Sequence, residues 1–139
     1  MISFRDIRAE DEGSVITLWK RCALTRDWND PRQDIEFARQ GKTSTVLVGV
    51  LEGSIVASVM VGHDGHRGVL YYLAVDPHFQ KRGFGRAAVA AAEAWLRAHG
   101  VWKINLMVRR ENEAAGRFYE HLGYAINPVI SFGKRLDGL

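Results

Sequence analysis

A chain of 139 residues, 47% hydrophobic and 25% charged, has the size and composition of one globular domain spanning residues 1–139 with a single core. No apolar run approaches the ~20 residues a membrane helix needs, and Cys22, the one cysteine, excludes an intrachain disulfide and any sign of an oxidising compartment. Nineteen Lys and Arg against 16 Asp and Glu leave a net charge of +3, which favours a polyanionic partner, either nucleic acid or one polyphosphorylated small molecule. The first residues lack the apolar stretch of a signal peptide, so a cytoplasmic location is the expectation.

Ile2 to Ile7 roughly alternates apolar and polar residues and predicts a strand. Val15, Leu18, Trp19 and Cys22 mark one face of a helix from about Glu10. Asp30-Pro31 opens a second helix, with Asp30 as N-cap, Pro31 at its first position and Gln33 closing a capping box. Thr45–Leu51 and Ser54–Gly62 predict strands joined by a tight Glu52-Gly53 hairpin. Asp64-Gly65 marks a second hairpin, leading to a strand at Val69–Val75. A helix follows from about Gly85 to His99, closed by Gly100, then a strand at Lys103–Val108. Asn112 caps a helix that runs through Leu122 and ends at Gly123. Tyr124–Ile126 and Val129–Leu136, broken at Asn127-Pro128, predict two final strands. The order β-α-α-β-β-β-α-β-α-β-β describes an α/β fold: a mixed, mostly antiparallel sheet of six or seven strands flanked by four helices.

The stretch "FQKRGFGRAAVAAAEAWLRAHG" (79–100) places two glycines and three basic residues at a helix start. Unpaired N–H groups and the helix dipole make such an end receptive to anions. Gly83 and Gly85 let a ligand approach the backbone, while Lys81, Arg82 and Arg86 add charge. No Gly-Lys-Ser or Gly-Lys-Thr follows in this stretch, and Gly133-Lys134 is followed by Arg135, so the Walker A reading fails. Gly83, Gly85 and Ala88 fit a dinucleotide fingerprint, but Asp76 to Arg82 separates strand from glycine and the preceding strands form a meander.

"LAVDPHFQKRGFGRAAV" (73–89) closely resembles the acyl-CoA loop of the GNAT superfamily of N-acetyltransferases, and "NEAAGRFYEHLGY" (112–124) resembles that superfamily's second signature. "LTRDWNDP" and "HDGHRGVLYYLAV" further resemble the small bacterial YpeA-like branch. The resemblance covers nearly the whole chain. It implies that the backbone from Arg82 through Gly83, Phe84 and Gly85 to Arg86, with Gln80 and Lys81, holds the pyrophosphate of acetyl-CoA as co-substrate. It implies that Leu73, Ala74 and Val75 offer strand-edge hydrogen bonds to the pantetheine arm and acetyl carbonyl, with Asn112 beside that arm.

The implied reaction moves an acetyl group to a primary amine by direct attack in a ternary complex. Tyr119 is the implied general acid. Periodicity alone favours a core role, because Ala115, Phe118, Tyr119 and Leu122 form a helical stripe; the resemblance reverses that preference. No carboxylate stands in Tyr71–Val75 to act as base, which leaves His63, Asp64, His66 and Asp30 as candidates acting through water. Asp64-Gly65 is equally explained by hairpin chemistry. Trp28, Asn29 and Asp30, with His63, His66 and Tyr72, are the candidate acceptor residues; the competing reading is a capping loop plugged by Trp28.

His63-x-x-His66 lacks a suitably spaced third ligand, so no metal is expected. The expected partner is a small-molecule or peptide amine, with no membrane partner, the protein being a monomer or homodimer. Two rival functions remain. One is a non-catalytic acyl-CoA sensor. The other is nucleic-acid binding through Arg109, Arg110, Arg117, Lys134 and Arg135, which no nucleic-acid motif supports.

Overall fold

In the computed structural model, which describes residues 1–138, the chain forms two compact units, Met1–Leu106 and a second beginning at Met107. The first holds a five-stranded sheet in the order β1-β2-β3-β4-β5. Its strands are β1 (Ser3–Asp6), β2 (Ser44–Leu51), β3 (Ser54–His63), β4 (Gly68–Val75) and β5 (Ile104–Asn105). The first three pairings are antiparallel and only β4–β5 is parallel. The short turns demand this arrangement. Glu52 and Gly53 both take positive φ, 51° and 81°, the twist that a two-residue hairpin needs. The parallel step from β4 to β5 instead crosses over through helix α3 (Phe84–Ala98).

Helices α1 (Glu12–Arg21) and α2 (Pro31–Arg39) pack on one sheet face. Val15, Leu18 and Trp19 meet Ile35, Val46, Val48 and Ala74 there, and Cys22 lies partly buried against them. Asp30 caps α2 as the sequence predicts, accepting from the N–H groups of Arg32 and Gln33 at 3.0 and 3.4 Å. Only this forward half of the expected capping box forms among the described residues. The opposite sheet face carries α3. Gly68 is small because α3 is close: a Cβ there would sit 2.6 Å from Leu96 Cδ1.

The sequence overestimates the strands. The predicted Lys103–Val108 strand contracts to Ile104–Asn105, paired only with Gly68 and Val69. A bulge at Tyr72, with φ of 52°, bends β4 soon after that pairing. Neither Tyr124–Ile126 nor Val129–Leu136 is a strand, so the sheet has five strands rather than six or seven. In those segments Ile126, Val129, Ile130, Phe132 and Leu136 are exposed. Apolar alternation makes a strand only where a neighbouring edge accepts it. The second unit contains α4 (Glu113–His121), capped by Asn112, whose Oδ1 accepts from the Ala115 N–H at 3.2 Å.

Candidate functional site

The loop between β4 and α3 is built from two opposed demands. At its start the backbone is tied down: Asp76 donates its N–H to the Val56 carbonyl at 2.8 Å. The Asp76 carboxylate accepts from the His78 N–H at 2.9 Å and from Arg21 Nη1 at 2.6 Å. Pro77–Phe79 then makes one tight helical turn. At its end the backbone is left open. Lys81 and Gly83 adopt positive φ, 65° and 81°, and Gly83 leads directly into α3. Ala87 donates back to the Gly83 carbonyl, so the N–H groups of Phe84, Gly85 and Arg86 precede the first helical bond.

No side chain among the described residues caps that helix start. A Cβ at Gly83 would meet nothing within 4 Å, which leaves room for an anion against the backbone. Lys81, Arg82 and Arg86 are exposed around it, and the Arg82 guanidinium lies 5.2 Å from the Phe79 ring centre. Gln80 is exposed and folds back on the loop, its Nε2 donating to the Val75 carbonyl at 3.2 Å.

Strand β4 supplies the second feature. It pairs with β3 along most of its length, yet with β5 only at Gly68 and Val69. Its outer edge from Leu70 to Val75 is therefore unpaired with β5. The Asp76 N–H faces β3, and strand alternation turns the Val75 N–H and carbonyl toward the outer edge. Accordingly, the Val75 carbonyl receives side chains, Gln80 Nε2 and Cys22 Sγ, the latter at 3.3 Å. Burial pushes the Cys22 thiol pKa up, which keeps it protonated as a donor.

Tyr72 forms a third feature. A bulky aromatic in the left-handed region costs ~1–3 kcal/mol and persists only where its surroundings over-determine it. Here its ring stacks on Trp19 with centroids 3.8 Å apart and planes 5° off parallel. Trp19 Nε1 donates to Ser58 Oγ at 2.8 Å, and Ser58 Oγ donates to the Tyr72 carbonyl at 3.3 Å. The Tyr72 phenol donates to Asp34 Oδ2 at 2.6 Å. Burial, reinforced by that carboxylate, raises the phenol pKa far beyond its ordinary value, so Tyr72 is a fixed donor.

The expected site residues thus divide into groups. Gln80 and Leu73–Val75 adjoin the glycine loop. Trp28, Asn29 and Asp30 lie just before α2, which reaches Tyr72 through Asp34. Trp28 is 60% exposed and plugs nothing, whereas Asp30 is the cap. His63 and His66 lie at the other end of β4, where α3 finishes. His63 packs near Trp95 and His99, with centroids 6.3 and 6.0 Å away. From Phe84 to Ala98 is about 22 Å along a helix of this length. Asp64 accepts from the His66 and Arg67 N–H groups at 2.9 and 2.8 Å; these two bonds hold its carboxyl below the ordinary pKa and fit a turn former.

In the second unit, Tyr119 sits edge-on to Phe118 and Tyr124, 5.1 and 5.6 Å between centroids, and burial raises its phenol pKa. Asn112 commits its side-chain oxygen to capping α4. Sequence reasoning missed Asp34, Arg21 and the clamp made by Asp76. A carboxylate in a helix's first turn is ordinary dipole chemistry, so Asp34 gives no local signal.

Strand β4 with an unpaired outer edge, followed by an uncapped glycine loop and helix, is the arrangement this chain presents. The chain belongs to the acetyltransferase (GNAT) family, whose model matches residues 12–124. It is 47% identical to an acetyltransferase of Pectobacterium atrosepticum over 135 residues, 97% of this chain and 96% of that one. Its fold matches that of AAC(6')-Iy in complex with the bisubstrate analog CoA-S-monomethyl-acetylneamine, with TM-score 0.83, 18% identity and coverage of 97% and 99%. It also matches the ribosomal-protein-S18-alanine N-acetyltransferase of Escherichia coli, with TM-score 0.75, 24% identity and coverage of 88% and 77%. Among the described residues no helix is long and apolar enough to cross a membrane.

Proposed function

We propose that this protein transfers the acetyl group of acetyl-CoA to a primary amine within a ternary complex. The observation that carries the reading is the uncapped α3 start, left open beside Gly83 at the end of a strand whose outer edge is unpaired. The N–H groups of Phe84, Gly85 and Arg86 are suited to the CoA pyrophosphate, with Lys81, Arg82 and Arg86 supplying charge. Gln80 serves the loop by tethering it to Val75. The outer edge at Leu73–Val75 receives the pantetheine arm and acetyl carbonyl. There the Val75 N–H is the donor aimed outward. The resemblance to the family assigns Asn112 to that arm as well.

The acceptor reacts as a neutral amine. Its nitrogen bonds to the thioester carbonyl carbon, giving a tetrahedral oxyanion that backbone N–H groups stabilise. Collapse breaks the C–S bond, the nitrogen's extra proton passes to solvent, and Tyr119 protonates the departing thiolate before recovering a proton from water. A phenol kept protonated by burial suits that role. Holding both reactants together supplies much of the acceleration, up to ~7–11 kcal/mol in favourable cases.

The test is thiol release from acetyl-CoA across a panel of amines and peptides, with acetylated product identified by mass spectrometry. Amine-dependent release with one acetyl per thiol supports the reading. Acetyl-CoA binding without release for any amine would make the protein a sensor.

A further inference from the structure

We propose that Asp34, aimed by the Tyr72 phenol, anchors a cationic group of the acceptor other than the nitrogen that is acetylated, so that the preferred acceptors are di- or polyamines. The inference deepens the acetyl-transfer reading and rests on it for the acceptor's fate, but not for the anchor itself.

Asp34 is a half-buried carboxylate with one oxygen fixed. Its Oδ2 takes the Tyr72 phenol at 2.6 Å, while Oδ1 meets no donor among the described residues. The cations of α2 are directed elsewhere. Arg32 and Arg39 both reach Glu12, at 3.0 and 2.5 Å, on the opposite side of the helix from Asp34. Arg26 acts on Tyr72 from the preceding connection, yet its Nη1 is engaged by the Ala23 and Thr25 carbonyls at 2.9 and 3.0 Å. It forms no ion pair with Asp34 among the described residues. A carboxylate held in one orientation, half-shielded from water and forming no ion pair among the described residues, is suited to receive a cation.

Tyr72 explains why this position matters. Its phenol is on Asp34, while its own backbone begins the open segment of β4 that continues through Leu73 to Val75. The same residue therefore links the carboxylate to the proposed acetyl-binding edge. The Trp19 stack and the Ser58 bond fix Tyr72 in its left-handed conformation, so Asp34 stands at a set reach from that edge. An attacking nitrogen must be neutral, and a carboxylate that grips an ammonium keeps it protonated. Asp34 is thus better placed to hold a second cation than to prepare the nucleophile.

The experiment titrates the full chain by calorimetry, with and without saturating CoA, using the α,ω-diamines of propane, butane and pentane against propylamine. The wild type should bind at least one diamine roughly tenfold or more tightly than propylamine, as a charge-assisted pair implies. Asp34→Asn, which keeps a partner for the phenol, should remove that preference. Tyr72→Phe should weaken it, because the carboxylate remains but is no longer aimed. CoA affinity should not change in Asp34→Asn. A wild type that binds no diamine better than propylamine, or an Asp34→Asn protein that retains the preference, overturns the proposal. Failure of wild-type CoA binding overturns the acetyl-transfer reading instead, and the diamine comparison still decides the role of Asp34.

Discussion

Tyr119→Phe keeps the ring and removes one proton, so it separates packing from catalysis. If Tyr119 is the acid, single-turnover thiol release should fall by roughly 10²–10⁴-fold with acetyl-CoA affinity intact. A folded variant with the wild-type rate would return Tyr119 to the role its helical stripe suggests. Burial raises its pKa, so its protonated form persists to higher pH than that of an ordinary tyrosine and its ionisation contributes no loss of activity near pH 7. Asp30→Ala tests the acceptor loop. It deletes the cap on α2 at a cost of about 1 kcal/mol and should raise the acceptor KM while leaving acetyl-CoA affinity unchanged. Equal damage to both substrates at matched stability would make Asp30 purely structural. Residue-level legibility follows the range of the interaction. Asp30 and Asn112 bond backbone groups two or three residues away, and spacing reveals them. Asp34 meets Tyr72 across 38 residues, and Arg21 meets Asp76 across 55, so neither pairing leaves a local trace.

Elements are held at their ends by polar groups and at their centres by burial. Asp11 fastens β1 to the start of α1, accepting from Arg5 Nη1 at 2.6 Å and from the Arg8 N–H at 2.8 Å. The Arg5 hydrogen bond, outweighing the opposing effect of burial, lowers the Asp11 pKa in the folded state. Its stabilisation is therefore complete above the unfolded value near 3.8 and disappears as pH falls through the lower folded value. Asp11→Asn should lose ~1–3 kcal/mol at pH 7 in urea unfolding, and the gap should narrow toward pH 3. A gap independent of pH would remove the charge from that account. Trp19→Phe leaves Ser58 without its indole donor inside the core and should cost ~2–4 kcal/mol in urea unfolding. Helices were legible to within a residue or two because caps and apolar stripes coincide. Strand pairing was legible only where a hairpin enforces it. From Leu70 onward β4 lacks a β5 partner and bulges at Tyr72, a conformation that Tyr-Tyr-Leu-Ala-Val does not announce.

At the scale of the whole molecule, family and fold class were readable because two motifs stand at the right separation along one chain. The net charge of +3 was less informative, since it fits a nucleic acid as well as a single pyrophosphate. Location separates these readings better than amount does. Lys81, Arg82 and Arg86 surround one open helix start, whereas Arg135 is paired with Asp137 at 2.5 Å. CoA should consequently bind with a shallower salt dependence than an oligonucleotide, whose weak association should vanish as salt rises.

The account rests most directly on CoA binding at the α3 start, and calorimetry of CoA with wild type, Gly83→Asn and Gly83→Asp tests it. Asn and Asp are nearly the same size, both tolerate positive φ better than other side chains, and the site has room for a Cβ, so both variants should fold. Only Asp brings negative charge against the proposed pyrophosphate position. CoA affinity should fall by about a hundredfold or more in Gly83→Asp and distinctly less in Gly83→Asn, equivalent to about 2.7 kcal/mol for the charge-bearing change. Equal affinity in a folded Gly83→Asp protein and the wild type would contradict the assignment of this loop to the CoA pyrophosphate.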